Sequence, residues 1–379
     1  MYQVPDTSVY LVSSWQLIHQ VLKNQQDYSA NLTGILITGA NGNPQLFDLS
    51  QFGGSIDAIA NADEPFHAVH RKLVMPALSS RKVAAMEVEV RNWAVERIEK
   101  LISKGGGECI AELANAIPVL AMARLTGLPL EDLDQLLSWA FSGGDILAGT
   151  CTLEDLASLS ASTTEMAAYV GVHYAIAARK QRDEEPTEHV LGELVRGVSQ
   201  GLISERDAIS IMIVLIGAAG ESTSSLIGSA VRLLAQDPDM QQQLRDNPKL
   251  IDKFVDEVVR LESPFKGHYR VVLNETRLGG ITLPKEARVY LLWAAANRDP
   301  SVFQAPEELD LERQDSSANL GFGHGIHFCV GARLAQMESR VILEELLKKV
   351  ASFSLDDKYP VRHTSSIFVR RLNELQLKF

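Results

Sequence analysis

Cysteine is scarce in this 379-residue sequence, and an excess of positive charge is lacking. The three cysteines, Cys109, Cys151 and Cys329, are too few and too far apart for a disulfide framework, which favours a cytoplasmic protein. The first residues do not show the basic segment and apolar run of a signal peptide. With 36 Lys+Arg against 48 Asp+Glu, the formal net charge of −12 argues against nucleic acid or an anionic membrane as a partner.

Long uninterrupted apolar runs are also lacking. The most apolar stretch, residues 208–231, contains the carboxylate Glu221 and a run of four hydroxyl side chains at 222–225. A membrane-spanning helix needs about 20 mostly apolar residues. The stretch therefore predicts a helix that is buried on all sides in a soluble core, and Ser204 followed by Asp207 predicts its start.

Helical patterns dominate the rest of the chain. Apolar residues recur at three- and four-residue spacing over residues 63–78, 81–103, 130–142, 153–182, 188–200, 250–264 and 331–350. Strand patterns occur at 8–14 and 276–294, residues 31–62 predict a long irregular loop, and residues 103–108 predict a turn. Length alone permits two domains. No convincing linker is present, so we expect one mainly helical domain, residues 1–379, with a small β-region.

The sharpest chemical feature is Cys329, which stands just before a helix and behind a loop with glycines at 321, 323 and 325. Backbone N–H groups at a helix start stabilise an anionic sulfur, so we expect a lowered pKa for this thiol. Glycines let the backbone approach a flat ligand closely. A zinc site of His324, His327 and Cys329 is disfavoured because no second ligand pair has structural-zinc spacing. The sequence also leaves open the interpretation that Cys329 is a nucleophile paired with a histidine base.

The segment around Cys329 resembles the haem-binding loop of the cytochromes P450, whose pattern is F-G-x-G-x-H-x-C-x-G. The six fixed positions are occupied by Phe322, Gly323, Gly325, His327, Cys329 and Gly331. The resemblance implies haem b, with Cys329 as the thiolate ligand of its iron. It also implies the family fold, which is mainly α with small β-sheets and holds the haem between a long buried helix and the cysteine loop.

Two charged clusters resemble the family at the matching places in the chain. Glu257 and Arg260 with Arg313 resemble its structural Glu-Arg-Arg triad, although Glu257 and Arg260 alone would predict only a weak surface ion pair. His67 and Arg71 share one helix face and resemble its haem-propionate ligands, although a solvated basic face would show the same pattern. The resemblance completes the propionate-binding set with Arg270 and His327.

The apolar helix resembles the family segment A-G-x-[DE]-T-T, which begins here at Ala218 and crosses the distal haem face. This alignment makes Glu221 the acid and Ser222 the alcohol of a proton relay, followed by Thr223. Small residues at 217–220 are then expected to leave room for O2 and to open the helix locally.

The segment departs from the family at two positions, because Ala219 replaces a glycine and Ser222 replaces a threonine. Serine lacks the methyl group that fixes the rotamer of threonine. A register with Ser222 in the acid position and Thr223 as the alcohol is also open. Alternatively, the hydroxyls bond to carbonyls four residues earlier and have no catalytic role.

The resemblance implies a monooxygenase that inserts one oxygen atom of O2 into a C–H or C=C bond of a hydrophobic molecule. No G-x-G-x-x-G nucleotide-binding pattern is present, so electrons are expected from a ferredoxin and its NAD(P)H-dependent reductase. We expect the ferredoxin on a basic patch of Arg71, Lys72, Arg81, Lys82 and Arg333. Peroxide-driven oxidation, desaturation, oxidative coupling and a non-catalytic haem sensor are the competing interpretations.

By the same resemblance, the substrate pocket is walled by residues from several parts of the chain. The residues expected there are Val214, Ala218, Phe265, His268 and Ile367. These side chains are mostly apolar, which predicts a small-to-medium hydrophobic substrate. Lys266 or His268 could orient a polar group of that substrate, and we expect the protein to be a monomer.

Overall fold

The computed structural model describes residues 1–52, 54, 57–183 and 188–379, and more than half of the chain is helical. This confirms the predicted mainly α class. The helices are α1 (Trp15–Lys23), α2 (Phe66–Val74), α3 (Ser80–Ser103), α4 (Ala116–Thr126), α5 (Leu133–Ala140), α6 (Ser142–Ile146), α7 (Leu153–Arg182), α8 (Val190–Ser199), α9 (Glu205–Gln236), α10 (Pro238–Asp246), α11 (Ile251–Glu262), α12 (Trp293–Ala296) and α13 (Ala332–Lys349).

The strands form several small sheets. They are β1 (Tyr2–Gln3), β2 (Val9–Val12), β3 (Tyr28–Ser29), β4 (Gly34–Thr38), β5 (Pro44–Asp48), β6 (Gly106–Glu108), β7 (His268–Val272), β8 (Thr276–Leu278), β9 (Ile281–Leu283), β10 (Arg288–Leu291), β11 (Ser354–Leu355), β12 (Arg362–His363), β13 (Leu372–Glu374) and β14 (Gln376–Lys378). A five-stranded sheet has the order β1-β2-β10-β7-β3, in which only β2 and β10 are parallel. A three-stranded sheet has the order β11-β14-β6, and β4-β5, β8-β9 and β12-β13 pair separately.

Helix α9 lies at the centre of the core and packs against α4, α5, α7, α8, α11 and α13. It begins where predicted, because Ser204 and Asp207 form a reciprocal capping box. It is long and apolar enough to cross a membrane by composition, but 67% of its most apolar window is buried within the protein. The helix is continuous from Glu205 to Gln236, so the predicted local opening is not seen.

The prediction that α9 is buried on every side is wrong for one stripe. Val214, Ala218 and Ser222, spaced four residues apart, line an internal cavity and are not fully buried, although Val214 also contacts the core. Gly217 and Ala219 also line this cavity, whereas Gly220 does not. A Cβ at Gly220 would lie 2.7 Å from the Cβ of Ala140, so this glycine allows α5 to pack closely on α9.

The structure also corrects the predictions for three segments. Residues 31–62 contain the hairpin β4–β5, in which Ile35, Ile37 and Phe47 are buried, so this segment is not an irregular loop throughout. The predicted turn at 103–108 ends in β6, where the carbonyl of Leu377 leaves no room for a Cβ at Gly106. The predicted helix over 130–142 is a 3-10 turn followed by α5. By contrast, the helix predicted over 153–182 has these bounds in α7.

Candidate active site

The segment before α13 is a tight loop that directs Cys329 into the cavity. The N–H of Cys329 donates to the carbonyl of Phe322 at 2.9 Å, and the N–H of Phe328 donates to the carbonyl of Gly325 at 3.1 Å. Gly323 and Gly325 have φ values of 74° and 73°, which L side chains rarely adopt. These glycines therefore allow the turns that expose the Cys329 side chain to the cavity.

The prediction that the pKa of Cys329 is lowered is wrong when only the groups of the protein itself act on the thiol. Burial raises the pKa of this thiol, although the N–H groups of Gly331 and Ala332 and the charge of Arg71 lower it. Desolvation therefore outweighs the helix start. A thiolate at this position needs a further positive charge, and a bound metal cation supplies it by deprotonating a coordinating thiol.

The cationic edge of the cavity is formed by Arg270, and the rings of His67 and His327 line the cavity beside it. Burial, with a contribution from Arg270, lowers the pKa of His327 to about 3, so this ring is neutral. Arg270 is buried, and the only hydrogen bond of its side chain within the described residues runs from Nη1 to the carbonyl of Tyr269, at 2.7 Å. Burial lowers the pKa of Arg270 to about 10. The Nδ1 atom of His327 is buried without a partner among the described residues, and its ring lies 4.3 Å from that of His67. Buried donors without an acceptor are costly, so this edge fits anionic groups of a ligand.

His67 and Arg71 both lie on α2 and face the cysteine loop. His67 Nδ1 lies 3.1 Å from Glu64 Oε1, and Arg71 Nη1 donates to the carbonyl of Phe328 at 2.7 Å. A guanidinium has five N–H donors, so this contact leaves others for a ligand. Both residues line the cavity, and both also border a shallow depression that contains Gly325.

The two hydroxyl side chains that the sequence places in the proton relay, Ser222 and Thr223, differ in their contacts. Ser222 donates its hydroxyl to the carbonyl of Ala218 at 2.7 Å, which is the bond expected if the hydroxyl serves only the helix. Thr223 is buried, lines the cavity and makes no side-chain hydrogen bond within the described residues. Its hydroxyl is thus the one available to a ligand or water molecule.

Glu221 lies on a neighbouring face of α9, where it is almost completely buried. Burial raises the pKa of Glu221 to about 8, while Arg371 lowers it and Asp145 raises it. Its Oε1 accepts a hydrogen bond from Arg371 Nη1 at 2.6 Å. The carboxyl lines the cavity and titrates near neutral pH, as a proton donor and acceptor requires.

The cavity has a volume of about 420 Å³, and most of its wall away from the cationic edge is apolar. As predicted, Val214, Phe265 and His268 line the cavity. Ile367 does not line it, and the neighbouring Phe368 does. Ile367 packs against Gly149, and its N–H donates to the carbonyl of Ala148 at 2.8 Å.

The two polar groups expected to orient a substrate lie in different places. Burial lowers the pKa of His268 to about 3, with a further contribution from Arg270, so this ring is neutral. His268 contacts the rings of Phe265 and Phe368 at the cavity wall. Lys266 does not line the cavity and donates to the carbonyl of Ser366.

Glu257 accepts hydrogen bonds from two buried arginines. Arg260 Nε donates to it at 2.7 Å and Arg313 Nε at 3.0 Å. Burial raises the pKa of Glu257, but bonds from Arg260, the N–H of Asp310 and Arg313 hold it below its ordinary value. Arg260 also donates to the carbonyl of Pro306, so the cluster anchors the segment that leads to the cysteine loop.

The basic patch is partly engaged by the protein itself. Lys72, Arg81 and Arg333 are exposed, and Arg333 hydrogen bonds to Ser80. Lys82 donates to the carbonyl of Glu188 at 2.6 Å.

The described residues contain no group of three or more His, Cys, Asp or Glu side chains that could hold a metal ion. This disfavours zinc at His324, His327 and Cys329. No histidine in the described chain hydrogen bonds to the Cys329 sulfur, so a paired nucleophile is not formed either.

Sequence reasoning missed Gly144, Arg371, Phe368 and Glu338, all of which contact the cavity or its acidic residue. Glu338 had a local signal, because it is a carboxylate on the buried face of α13, nine residues beyond Cys329. The other three come from distant segments and had none.

Glu338 is expected to make stability depend on pH. Burial raises its pKa from 4.5 to about 8, and Oε2 has no partner among the described residues. The folded chain therefore holds this proton more tightly, and stability falls as pH rises from 4.5 towards 8. At 1.36 kcal/mol per pKa unit, Glu338→Gln should match the wild type near pH 5 and exceed it by about 3 kcal/mol near pH 8.

Urea unfolding at the two pH values measures this difference. The exposed Glu96 provides the matched control, because Glu96→Gln should change stability equally at both pH values. A Glu338→Gln effect that is the same at both would contradict the assigned protonation of Glu338.

Comparison with known proteins gives one consistent family. Residues 179–379 match the sequence model described as Cytochrome P450. Cytochrome P450 144 of Mycobacterium tuberculosis is 36% identical over 381 residues, which cover 100% of this chain and 85% of that protein. The biotin biosynthesis cytochrome P450 of Bacillus subtilis is 30% identical over 317 residues, covering 84% of this chain and 78% of the relative.

Solved structures agree in fold. The crystal structure of P450BioI in complex with a hexadec-9Z-enoic acid ligated acyl carrier protein superposes with a TM-score of 0.85 and 28% identity, covering 97% of this chain and 91% of that one. Cytochrome P450 CREJ in complex with (4-ethylphenyl) dihydrogen phosphate gives a TM-score of 0.88 at 24% identity, covering 100% and 93%, and shows the fold alone. Relatives that span most of the chain thus share one family, and the chain belongs to the cytochrome P450 family of haem-dependent monooxygenases.

Proposed function

We propose that this protein is a haem-thiolate monooxygenase that inserts one oxygen atom of O2 into a C–H or C=C bond of a small-to-medium hydrophobic molecule. The observation that carries the proposal is the position of Cys329, whose side chain opens into the same cavity as the Val214–Ala218–Ser222 stripe of α9. The cavity walls are largely apolar, and the neutral His268 is one of the polar rings among them.

Haem b fits the groups that the chain presents. Cys329 would hold the iron, and the unpaired donors of Arg270 and His327, with His67 and Arg71, would hold the propionates. Residues with little or no side chain, together with one ring, would lie against the macrocycle: Ala218, Phe322, Gly323, Gly325 and Gly331. When bound, the haem iron supplies the chemistry of oxygen activation, which no side chain of the protein can provide.

The protein's own residues deliver protons and exclude water. Glu221 is the acid, because its buried carboxyl titrates near neutral pH beside the cavity. Ser222 and Thr223 supply the hydroxyls. Ser222 donates to the carbonyl of Ala218, whereas Thr223 makes no side-chain hydrogen bond within the described residues. Apolar side chains on the remaining walls keep bulk water from the substrate.

Glu221→Gln is expected to lower product formation by about 10²-fold or more, because a positioned acid contributes roughly 10²–10⁴-fold. A panel of apolar compounds is first ranked by the shift of the haem absorption band. Product per NADPH and peroxide release are then measured with a surrogate ferredoxin and reductase. Ser222→Ala and Thr223→Val distinguish the two registers. The residue that acts as the alcohol is the one whose replacement releases more peroxide.

The matched control is Ser225→Ala. Ser225 donates to the carbonyl of Glu221 at 2.8 Å, so it makes the same kind of bond as Ser222, but it does not line the cavity. Its coupling should be unchanged. Equal product per electron in Glu221→Gln and the wild type would remove Glu221 from the mechanism.

Electrons come from a ferredoxin and its NAD(P)H-dependent reductase in this proposal, and the ferredoxin docks on the basic patch beside the cysteine loop. The exposed Lys72 and Arg333 and the loop-bound Arg71 support this placement. We further propose a cytoplasmic monomer that forms one domain, residues 1–379. Product formed from hydrogen peroxide without a ferredoxin would favour the peroxide-driven reaction instead.

A further inference from the structure

The segment just before β13 meets Glu221 at the cavity wall. Arg371 Nη1 donates to Glu221 Oε1 at 2.6 Å, and Nη2 donates to Asp145 Oδ1 at 3.3 Å. The same guanidinium lies 5.0 Å from the centre of the Phe141 ring, and Nε donates to Thr364 Oγ1 at 3.3 Å. Arg371 is thus held from several sides and shared by two carboxylates.

The second oxygen of Glu221 is confined by α6. Glu221 Oε2 is buried and has no hydrogen-bond partner among the described residues. A Cβ at Gly144 would overlap with the Glu221 carboxyl, so the glycine lets α6 approach this carboxyl closely. The carboxyl is therefore held between Arg371 and Gly144, with Oε1 bound and Oε2 buried without a partner among the described residues.

The two charged groups that face Glu221 in the described chain come from different elements. Arg371 precedes β13, and Asp145 lies on α6. The Asp145 side chain is 44% exposed, whereas that of Glu221 is 1% exposed. Because Asp145 competes for the same guanidinium, it weakens the stabilisation that Arg371 gives to the buried carboxylate.

We propose that Arg371 is a positioning residue for proton delivery, which holds the Glu221 carboxyl at the cavity wall, while Asp145 tunes this hold. The inference rests on the proposed role of Glu221 as the acid. Each proton that the Glu221 carboxylate takes up from water is passed on to the cavity, which restores the carboxylate. Arg371 itself stays protonated and transfers nothing.

Infrared difference spectroscopy of the haem-loaded protein between pH 5 and 10 tests the proposal. The carboxyl C=O band that is absent in Glu221→Gln reports the titration of Glu221. Arg371→Gln should raise the midpoint of this band by about one pH unit or more, because a facing cation is removed. Asp145→Asn should lower it, because a facing anion is removed, and Arg371→Lys should lie between Arg371→Gln and the wild type.

Arg370→Gln is the matched control. Arg370 is the adjacent residue and donates to Glu262 Oε2 at 2.7 Å, so its loss also breaks an ion pair of this segment without touching Glu221. Its midpoint should equal that of the wild type. An unchanged midpoint in Arg371→Gln, or an equal shift in Arg370→Gln, would overturn the proposal.

Three further results keep the outcomes distinct. If Arg371→Gln does not fold, the opposite shifts of Arg371→Lys and Asp145→Asn decide the question, and shifts of one sign overturn the proposal. If Glu221→Gln keeps coupled turnover, the role of Glu221 fails and the inference fails with it. If Glu221→Gln loses coupling but Arg371→Gln does not shift the band, only the positioning role fails.

Discussion

Replacing Cys329 with alanine is expected to abolish monooxygenase turnover. Cys329 is the cysteine that opens into the cavity, whereas Cys109 and Cys151 are buried outside it. Alanine removes the sulfur while the bond from the residue 329 N–H to the carbonyl of Phe322 can still form, so the loop should keep its course. Turnover of a panel compound with a surrogate ferredoxin measures the loss, and pigment content shows how much haem is retained.

Cys109→Ala is the matched control for this substitution. Cys109 is fully buried near the start of a π-helical turn, and burial raises the pKa of its thiol. Loss of a small buried group costs stability but leaves the cavity unchanged. The control should therefore keep turnover and pigment. A Cys329→Ala protein with wild-type turnover would show that the sulfur has no role in the reaction.

Replacing Glu257 with alanine is expected to destabilise the fold by about 3–5 kcal/mol, because it leaves buried charges without a partner. The Arg260 side chain is 0% exposed and that of Arg313 is 3% exposed, and both donate to this carboxylate. The segment at 304–308 should also loosen, since both arginines bind carbonyls there. Urea unfolding and pigment content of the haem-loaded protein measure the two effects.

An exposed ion pair provides the control for Glu257. Glu312 lies 3.2 Å from Lys253, and the two side chains are 75% and 51% exposed. Solvent screens such a pair, so Glu312→Ala should cost about 0–1 kcal/mol. Equal unfolding free energies for Glu257→Ala and Glu312→Ala would contradict the structural role of the buried cluster.

The sequence alone predicted the features whose residues are neighbours along the chain. The cysteine loop was recognised from six positions within residues 322–331, and α9 from its capping box and apolar run. Glu257 and Arg260 share one helix face because they are three residues apart, and α7 has the bounds that its apolar spacing predicted. Each of these patterns is local, and local geometry is set by the sequence around it.

Contacts between distant segments could not be predicted in the same way. Arg371 is 150 residues beyond Glu221, and no local pattern tells which of Arg370 and Arg371 faces α9. Ile367 and Phe368 lie in a bend, and no periodic pattern tells which of the two faces the cavity, so the prediction chose Ile367 where Phe368 lines the wall.

Two errors came from giving one local effect too much weight. The Gly- and Asn-rich composition of residues 31–62 suggested a loop, although residues 35–37 are a continuous apolar run where β4 forms. For Cys329, the helix start suggested a lowered pKa, but the desolvation of the thiol is larger. Burial is a property of the whole fold, and a sequence motif does not contain it.

The absorption spectrum of the reduced protein with carbon monoxide bound tests the central claim most directly. A haem iron held by the Cys329 thiolate should give the strongly red-shifted Soret band of thiolate-ligated haem, and Cys329→Ala should lack it. A native protein without this band, or a Cys329→Ala protein that retains it, would contradict the assignment of Cys329 as the iron ligand.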